Sequence, residues 1–225
     1  MGWNVQRGRA VCVHAQHGRS GFAYGTQGRN RKETQDCQRG AITMSKPTDS
    51  ARASSGPEHP RRIYEVMAME HLRLEGLLDL MQSRKQETNA ETYQIFRETL
   101  LRHIRIEEKI LLPMAQECSD GRPLALAARL RLDHGALAAM MMLPPAPRVL
   151  AAVRAVLKVH NPLEDGPGGV YERCDELVGP DRPELLLKIQ NVPKVPVSPY
   201  IDSPSVFSAA RRVLSRAGYD EGLLD

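Results

Sequence analysis

Four histidines each sit on an apolar stripe that advances in steps of three and four residues: His71, His103, His134 and His160. Two of them are followed one turn later by a glutamate, as His103-x-x-x-Glu107 and His160-x-x-x-Glu164. Residues four apart project from one face of a helix, so each His–Glu pair points inward together. Burying four imidazoles and two carboxylates without partners costs on the order of several kcal/mol per charged group. A bound pair of cations removes that cost: neutral imidazole nitrogens donate, and the carboxylates bridge. The donors are nitrogen and oxygen with no thiolate, which suits iron or manganese and argues against a structural zinc. The chain has seven histidines, and the other three (His14, His17 and His59) all precede the stripes.

The stripes define the elements that must position these groups. The first spans about residues 61–81 through Ile63, Met67, His71, Leu74, Leu78 and Met81. The second spans about 90–117 through Tyr93, Phe96, Leu100, His103, Glu107, Ile110 and Met114. Ser119-Asp120-Gly121 breaks the chain, and Pro123 suits the first turn of a third helix running to about 142 through Ala127, Leu130, His134, Leu137 and Met141. Pro144, Pro145 and Pro147 end it; a fourth starts near 148 and carries Val149, Val153, Val156, His160 and Glu164. Gly166-Pro167-Gly168-Gly169 interrupts the pattern, and 170–178 reads as one further helical piece. With a rise of about 1.5 Å per residue, each histidine lies at a similar height from the nearest chain reversal, to within about one turn. All four therefore share one layer. Short connections make consecutive helices antiparallel neighbours, so the expected fold is all-α, an up-down-up-down four-helix bundle over residues 61–180. No strand and no solenoid-type repeat is evident.

Hydrophobic residues make up 41% of the 225 positions but aromatics only 4%, so the core rests on Leu, Ala, Val, Ile and Met, a mix that favours helices. The net charge of +4 is unevenly placed: residues 1–56 hold nine Lys/Arg against three Asp/Glu. The basic character belongs to this leader, which argues against a nucleic-acid-binding domain. Residues 1–60 lack sustained periodicity and read as a disordered leader and linker, with Met44 as the expected translation start. Residues 181–225 read as a Pro-rich tail, in which Ser203-Pro204 opens a short amphipathic helix that could pack on the bundle or serve a protein partner. Cys12, Cys37, Cys118 and Cys174 form no CxxC pair, and no apolar stretch suits a membrane span or secretory signal. The expected setting is the cytoplasm.

Glu70-His71, His103-Ile-Arg-Ile-Glu107-Glu108 with Leu111-Leu112-Pro113, Asp133-His134 and His160-Asn-Pro-Leu-Glu164-Asp165 occur in an order that resembles the hemerythrin-like, or HHE cation-binding, family. The resemblance covers roughly residues 61–180. It implies two iron ions held by His71, His103, Glu107, His134, His160 and Glu164, bridged by the carboxylates and an oxo or hydroxo group. One departure matters. Oxygen-carrying members place a second histidine four residues after the one on the third helix, and here that position is Ala138. For two six-coordinate metals, four histidines, two bridging glutamates and the oxygen bridge leave two positions open, where a fifth histidine leaves one. Glu75, four residues after His71, could fill one of them or face solvent.

The resemblance implies a small ligand such as O₂, peroxide or NO, bound for sensing, buffering or redox response. Four-histidine relatives are associated with peroxide decomposition, which makes a redox enzyme the alternative, and an iron-handling or interaction module is the third. The bundle alone does not choose among them. Glu108 and Asp165 adjoin the two glutamates and either face solvent or hydrogen-bond behind the metal ligands. Met140-Met141-Met142 reads as a packed helix end, and Tyr64 and Tyr93 as core residues that could line a cavity.

Overall fold

A computed structural model describes residues 62–83, 90–179 and 183–225, all within the unit His59–Asp225. The leader, its expected disorder and the expected start at Met44 lie outside the described residues.

The first stripe forms α1 (Ile63–Ser83), whose buried residues include all six of its stripe positions. The second forms α2 (Ala90–Ile106), which runs through one wide π turn (Glu107–Leu111) into α3 (Leu112–Glu117). Pro113 explains the widening. It has no N–H to give the carbonyl one turn back, and its ring crowds that carbonyl. The chain relaxes by letting the Leu112 amide bond the carbonyl of Glu107, five residues back. The third stripe begins later than Pro123 suggests: α4 spans Ala127–Met140. Asp120 and Gly121 turn the chain with positive φ, and Leu124 and Leu126 pack half-buried against the core instead of extending the helix. The fourth stripe is α5 (Pro147–Asp165), followed by α6 (Val170–Val178).

Two apolar clusters form the core. One holds Leu74, Leu78, Met81, Tyr93, Phe96, Leu100, Leu137, Met140, Val153 and Leu157 among others. The second holds Ile63, Met67, Ile106, Ile110, Leu111, Ala127, Leu130, Val170 and Tyr171. Each long helix crosses from one cluster to the other at its histidine. His71 lies between Met67 and Leu74, His103 between Leu100 and Ile106, and His134 between Leu130 and Leu137. His160 follows Leu157 of the first cluster and precedes Leu163, which packs on the second. α1 and α4 run from the second cluster to the first, while α2 and α5 run the other way. The histidines therefore form a polar layer between two apolar ones, as their equal heights in the sequence require.

The C-terminal segment adds α7 (Pro183–Gln190), an extended stretch, α8 (Pro204–Arg216) and a 3₁₀ turn (Glu221–Leu224). Sequence periodicity did not distinguish α7, whose only buried residue is Ile189. The Ser203 side chain caps α8 by accepting from the Val206 amide. α8 lays Phe207, Ala210 and Leu214 on the first cluster and packs against α4. The buried Arg97 ties the extended stretch to the bundle, its guanidinium donating to the carbonyls of Met141 and Ser198, both at 2.7 Å. Among the described residues there is no strand and no helix long and apolar enough to cross a membrane.

Candidate metal centre

The structure brings all six sequence-selected donors into one buried cluster. His71, His103, Glu107, His134, His160 and Glu164 are each at most 4% exposed, although four separate helices and the π turn deliver them. Two overlapping groups emerge. His71, His103, Glu107 and Glu164 have donor atoms within 4.8 Å of one another, and so do Glu107, His134, His160 and Glu164. Both glutamates belong to both groups.

The individual distances carry the chemistry. His71 Nε2 lies 3.1 Å from His103 Nε2 and 3.3 Å from Glu164 Oε2. His103 Nε2 lies 3.2 Å from Glu107 Oε1, and His160 Nε2 lies 3.1 Å from Glu164 Oε2. His134 Nε2 is 3.1 Å from Glu107 Oε2 and 3.6 Å from Glu164 Oε1. Metal–nitrogen and metal–oxygen bonds of about 2.0–2.2 Å put neighbouring donors of one cation about 3 Å apart, so these are the edges expected of coordination polyhedra. The pair His134 Nε2 and Glu107 Oε2 is the sharpest case. The atoms are in contact, yet neither is aligned as a hydrogen-bond partner, and both are buried. Glu164 Oε1 is likewise buried without a hydrogen bond. Buried donor atoms crowded together in this geometry suit a cation between them. The residues present fit a two-metal group.

Carboxylates behind the imidazoles set their orientation. The Nδ1–H of His71 donates to Asp165 at 2.8 Å, that of His134 to Glu108 at 2.8 Å, and that of His160 to Asp133 at 3.4 Å. When the ring is neutral, each contact leaves the Nε2 lone pair facing the cluster, the tautomer a metal requires. His103 Nδ1 has no such partner among the described residues. The π turn has a direct consequence here. Consecutive residues Glu107 and Glu108 grip the two nitrogens of the one His134 ring. Arg131 also pairs with Glu108, and Arg129 pairs with Asp133 at 2.9 Å while donating to the carbonyl of Ala217 at 2.7 Å. The C-terminal segment thus braces the His160 support.

The electrostatics follow from this crowding. Burial pushes His71 down, but hydrogen bonds to Asp165 and Glu164, with the charges of Glu164 and Glu107, outweigh it and hold the ring at about 9. Burial is likewise overcome at His160 by Asp133 and Glu164, giving about 9, and at His134 by Glu107, Glu108 and Glu164, giving about 11. Burial raises Glu107 and Glu164, but the imidazoles around them win and hold both below the usual carboxylate range. The hydrogen bond from His134 holds Glu108 low in the same direction.

Glu75, which the sequence left open between a metal position and a solvent-facing one, is exposed and belongs to neither donor group. It sits one turn along α1 from His71, on the face that lines a groove of about 510 Å³. This groove runs between α1 and α5, is also lined by Tyr64, Lys158 and Asp165, and reaches His71. Tyr171, which the sequence reading did not single out, is fully buried in the cluster. Its hydroxyl donates to Glu107 in a short contact and lies 3.1 Å from Glu164 Oε2, 3.1 Å from His71 Nε2 and 3.4 Å from His103 Nε2. Burial and the two glutamate charges push this phenol well above its ordinary range. The only sequence signal for it was Gly166-Pro167-Gly168-Gly169, which folds α6 back over the end of α5. A Cβ on Gly169 would lie 2.5 Å from the Glu164 carbonyl oxygen, so this close return needs glycine. Tyr93 is a core residue whose hydroxyl donates to the Leu143 carbonyl at 2.8 Å, and Met140 and Met141 are buried in the first cluster.

Comparison with curated proteins and with solved structures returned no match. The family model described as Hemerythrin HHE cation binding domain matches residues 62–167, which hold all six donors and the carboxylates behind three of them. Residues 62–167 of this chain are a hemerythrin HHE cation-binding domain.

Proposed function

We propose that this domain holds two iron ions and binds O₂ or a related small ligand, such as peroxide or NO, for sensing, buffering or redox response. His71 and His103 hold one iron, His134 and His160 hold the other, and Glu107 and Glu164 are shared by both. In this reading α1, α2 with α3, α4, and α5 are the four members of an up-down-up-down bundle. The observation that carries the proposal is that both carboxylates belong to both donor groups. Two separate mononuclear sites would not need to share them. An all nitrogen and oxygen donor set favours iron, and carboxylate-bridged iron pairs recur inside helical bundles.

Bound iron supplies a redox-active centre that can accept a small ligand. The chain's own groups do the rest. Asp165, Glu108 and Asp133 orient the imidazoles through Nδ1. The two apolar clusters above and below the layer exclude bulk water.

Peroxide decomposition is the second reading, and Ala138 favours it. This half-buried alanine on α4, one turn beyond His134, carries no donor, so the His134 side keeps more open coordination than a carrier has. Iron-loaded protein separates the two readings. A stable, reversible O₂ adduct supports ligand binding, whereas rapid O₂ evolution from peroxide, abolished in Glu164→Ala, supports the enzyme. About one zinc per chain with no iron contradicts both.

A further inference from the structure

Tyr171 lies outside the family match, on α6, four residues beyond its end. Every polar atom its hydroxyl touches belongs to the His71/His103 group: the two Nε2 atoms and one oxygen of each glutamate. No contact reaches His134 or His160. The phenol therefore attends one half of the centre.

We propose that Tyr171 is a seventh protein ligand, binding as phenolate to the metal held by His71 and His103. This inference rests on the two-metal reading above and adds a donor to it. Hydrogen-bond counting favours ligation over a simple cap. A phenol has one proton to donate. When His71 is neutral, as ligation requires, its Nδ1–H goes to Asp165 and its Nε2 lone pair faces Tyr171. Oxygens of Glu107 and Glu164 face the same hydroxyl. One proton cannot serve three buried acceptors, whereas one cation can serve them all and the phenol oxygen too. The separations of 3.1 to 3.4 Å match the spacing of about 3 Å between neighbouring donors on one metal.

The step balances simply. The phenol O–H bond breaks, its electron pair stays on oxygen and forms the bond to the metal, and the proton passes to solvent. The metal keeps its oxidation state. The two metals then become unlike. The His71/His103 metal gains a protein donor, and the His134/His160 metal, beside Ala138, keeps the open positions. An external ligand accordingly goes to the latter.

The test uses the full chain loaded with ferric iron and read by metal analysis, optical absorption and resonance Raman. Wild-type protein is expected to show a phenolate-to-iron charge-transfer band with tyrosine ring modes that shift when the protein is grown on ring-deuterated tyrosine. Tyr171→Phe is expected to keep its iron and lose both signals. Tyr200→Phe, at a residue 43% exposed whose ring packs on Tyr93 and which touches neither donor group in any hydrogen bond, is expected to keep them. The wild-type isotope shift stands even if Tyr171→Phe fails to fold. Iron-loaded wild-type protein without phenolate modes overturns the ligand assignment and leaves the two-metal reading intact. Protein that takes up no iron overturns both.

Discussion

The hydroxyl of Tyr171 lies 3.1 Å from Nε2 of His71, one hundred residues earlier in the chain. That contact joins the piece of the molecule outside the family match to the first donor of the cluster. It depends on the glycine-rich return after Asp165, and it makes the two halves of the centre unequal.

That return is testable by itself. Adding a Cβ at Gly169 brings it within 2.5 Å of the Glu164 carbonyl oxygen and 2.7 Å of that of Gly166, both backbone atoms that cannot swing aside. Gly169→Ala is expected to destabilise the protein by about 1–3 kcal/mol. Gly76→Ala on α1 meets nothing within 4 Å and is expected to stabilise by about 0.5–1 kcal/mol. Denaturant unfolding of both variants measures the contrast; equal effects would mean that α6 does not return as described.

The carboxylates behind the imidazoles are expected to matter for metal rather than for fold. Glu108→Gln and Asp165→Asn keep the shape of each side chain but weaken its hold on Nδ1 of His134 or His71. Each is expected to lower iron affinity about 10–100-fold with helical content unchanged. Competition with a chelator gives the affinity and circular dichroism gives the fold. Wild-type affinity in both variants would remove these residues from the account.

The imidazole values predict a pH dependence with a definite sign. His71 and His160 at about 9 and His134 at about 11 lie above the ordinary value of 6.5. Their protonated pairing with the carboxylates therefore stabilises the metal-free fold fully below 6.5, and this stabilisation is lost as pH rises through 9 and then 11. Glu107 and Glu164, held low, contribute above 4.5 and lose their contribution only in strong acid. Metal-free protein should thus melt at progressively lower temperature from about pH 7 to pH 10, while iron-loaded protein, with its histidines already neutral, should not. Iron uptake at neutral pH should also release protons from these three rings, measurable in weakly buffered solution. A flat metal-free profile with no proton release contradicts the assignment.

Much of the centre was legible because its parts repeat a local rule. His103 with Glu107, and His160 with Glu164, are four apart, and a helix puts such pairs on one face whatever else the chain does. The apolar stripes through Met67 and Leu74, Leu100 and Ile106, or Leu130 and Leu137 likewise show where each histidine falls. Tyr171 was not legible, because its place depends on how α6 folds back rather than on any period within α6. The π turn left only a faint trace, Pro113, and its effect of aiming both Glu107 and Glu108 at His134 needs three dimensions. Glu75 satisfied the same four-residue rule from His71 and is nonetheless exposed on the groove, outside both donor groups.

The sharing of Glu107 and Glu164 is the centre of the account, and iron stoichiometry tests it most directly. Wild-type protein loaded with iron should hold about two ions per chain, and Glu164→Ala should lose both together, falling well below one, because each ion depends on the same carboxylate. Retention of one full ion in Glu164→Ala, or a single ion in the wild type, would contradict a bridged pair.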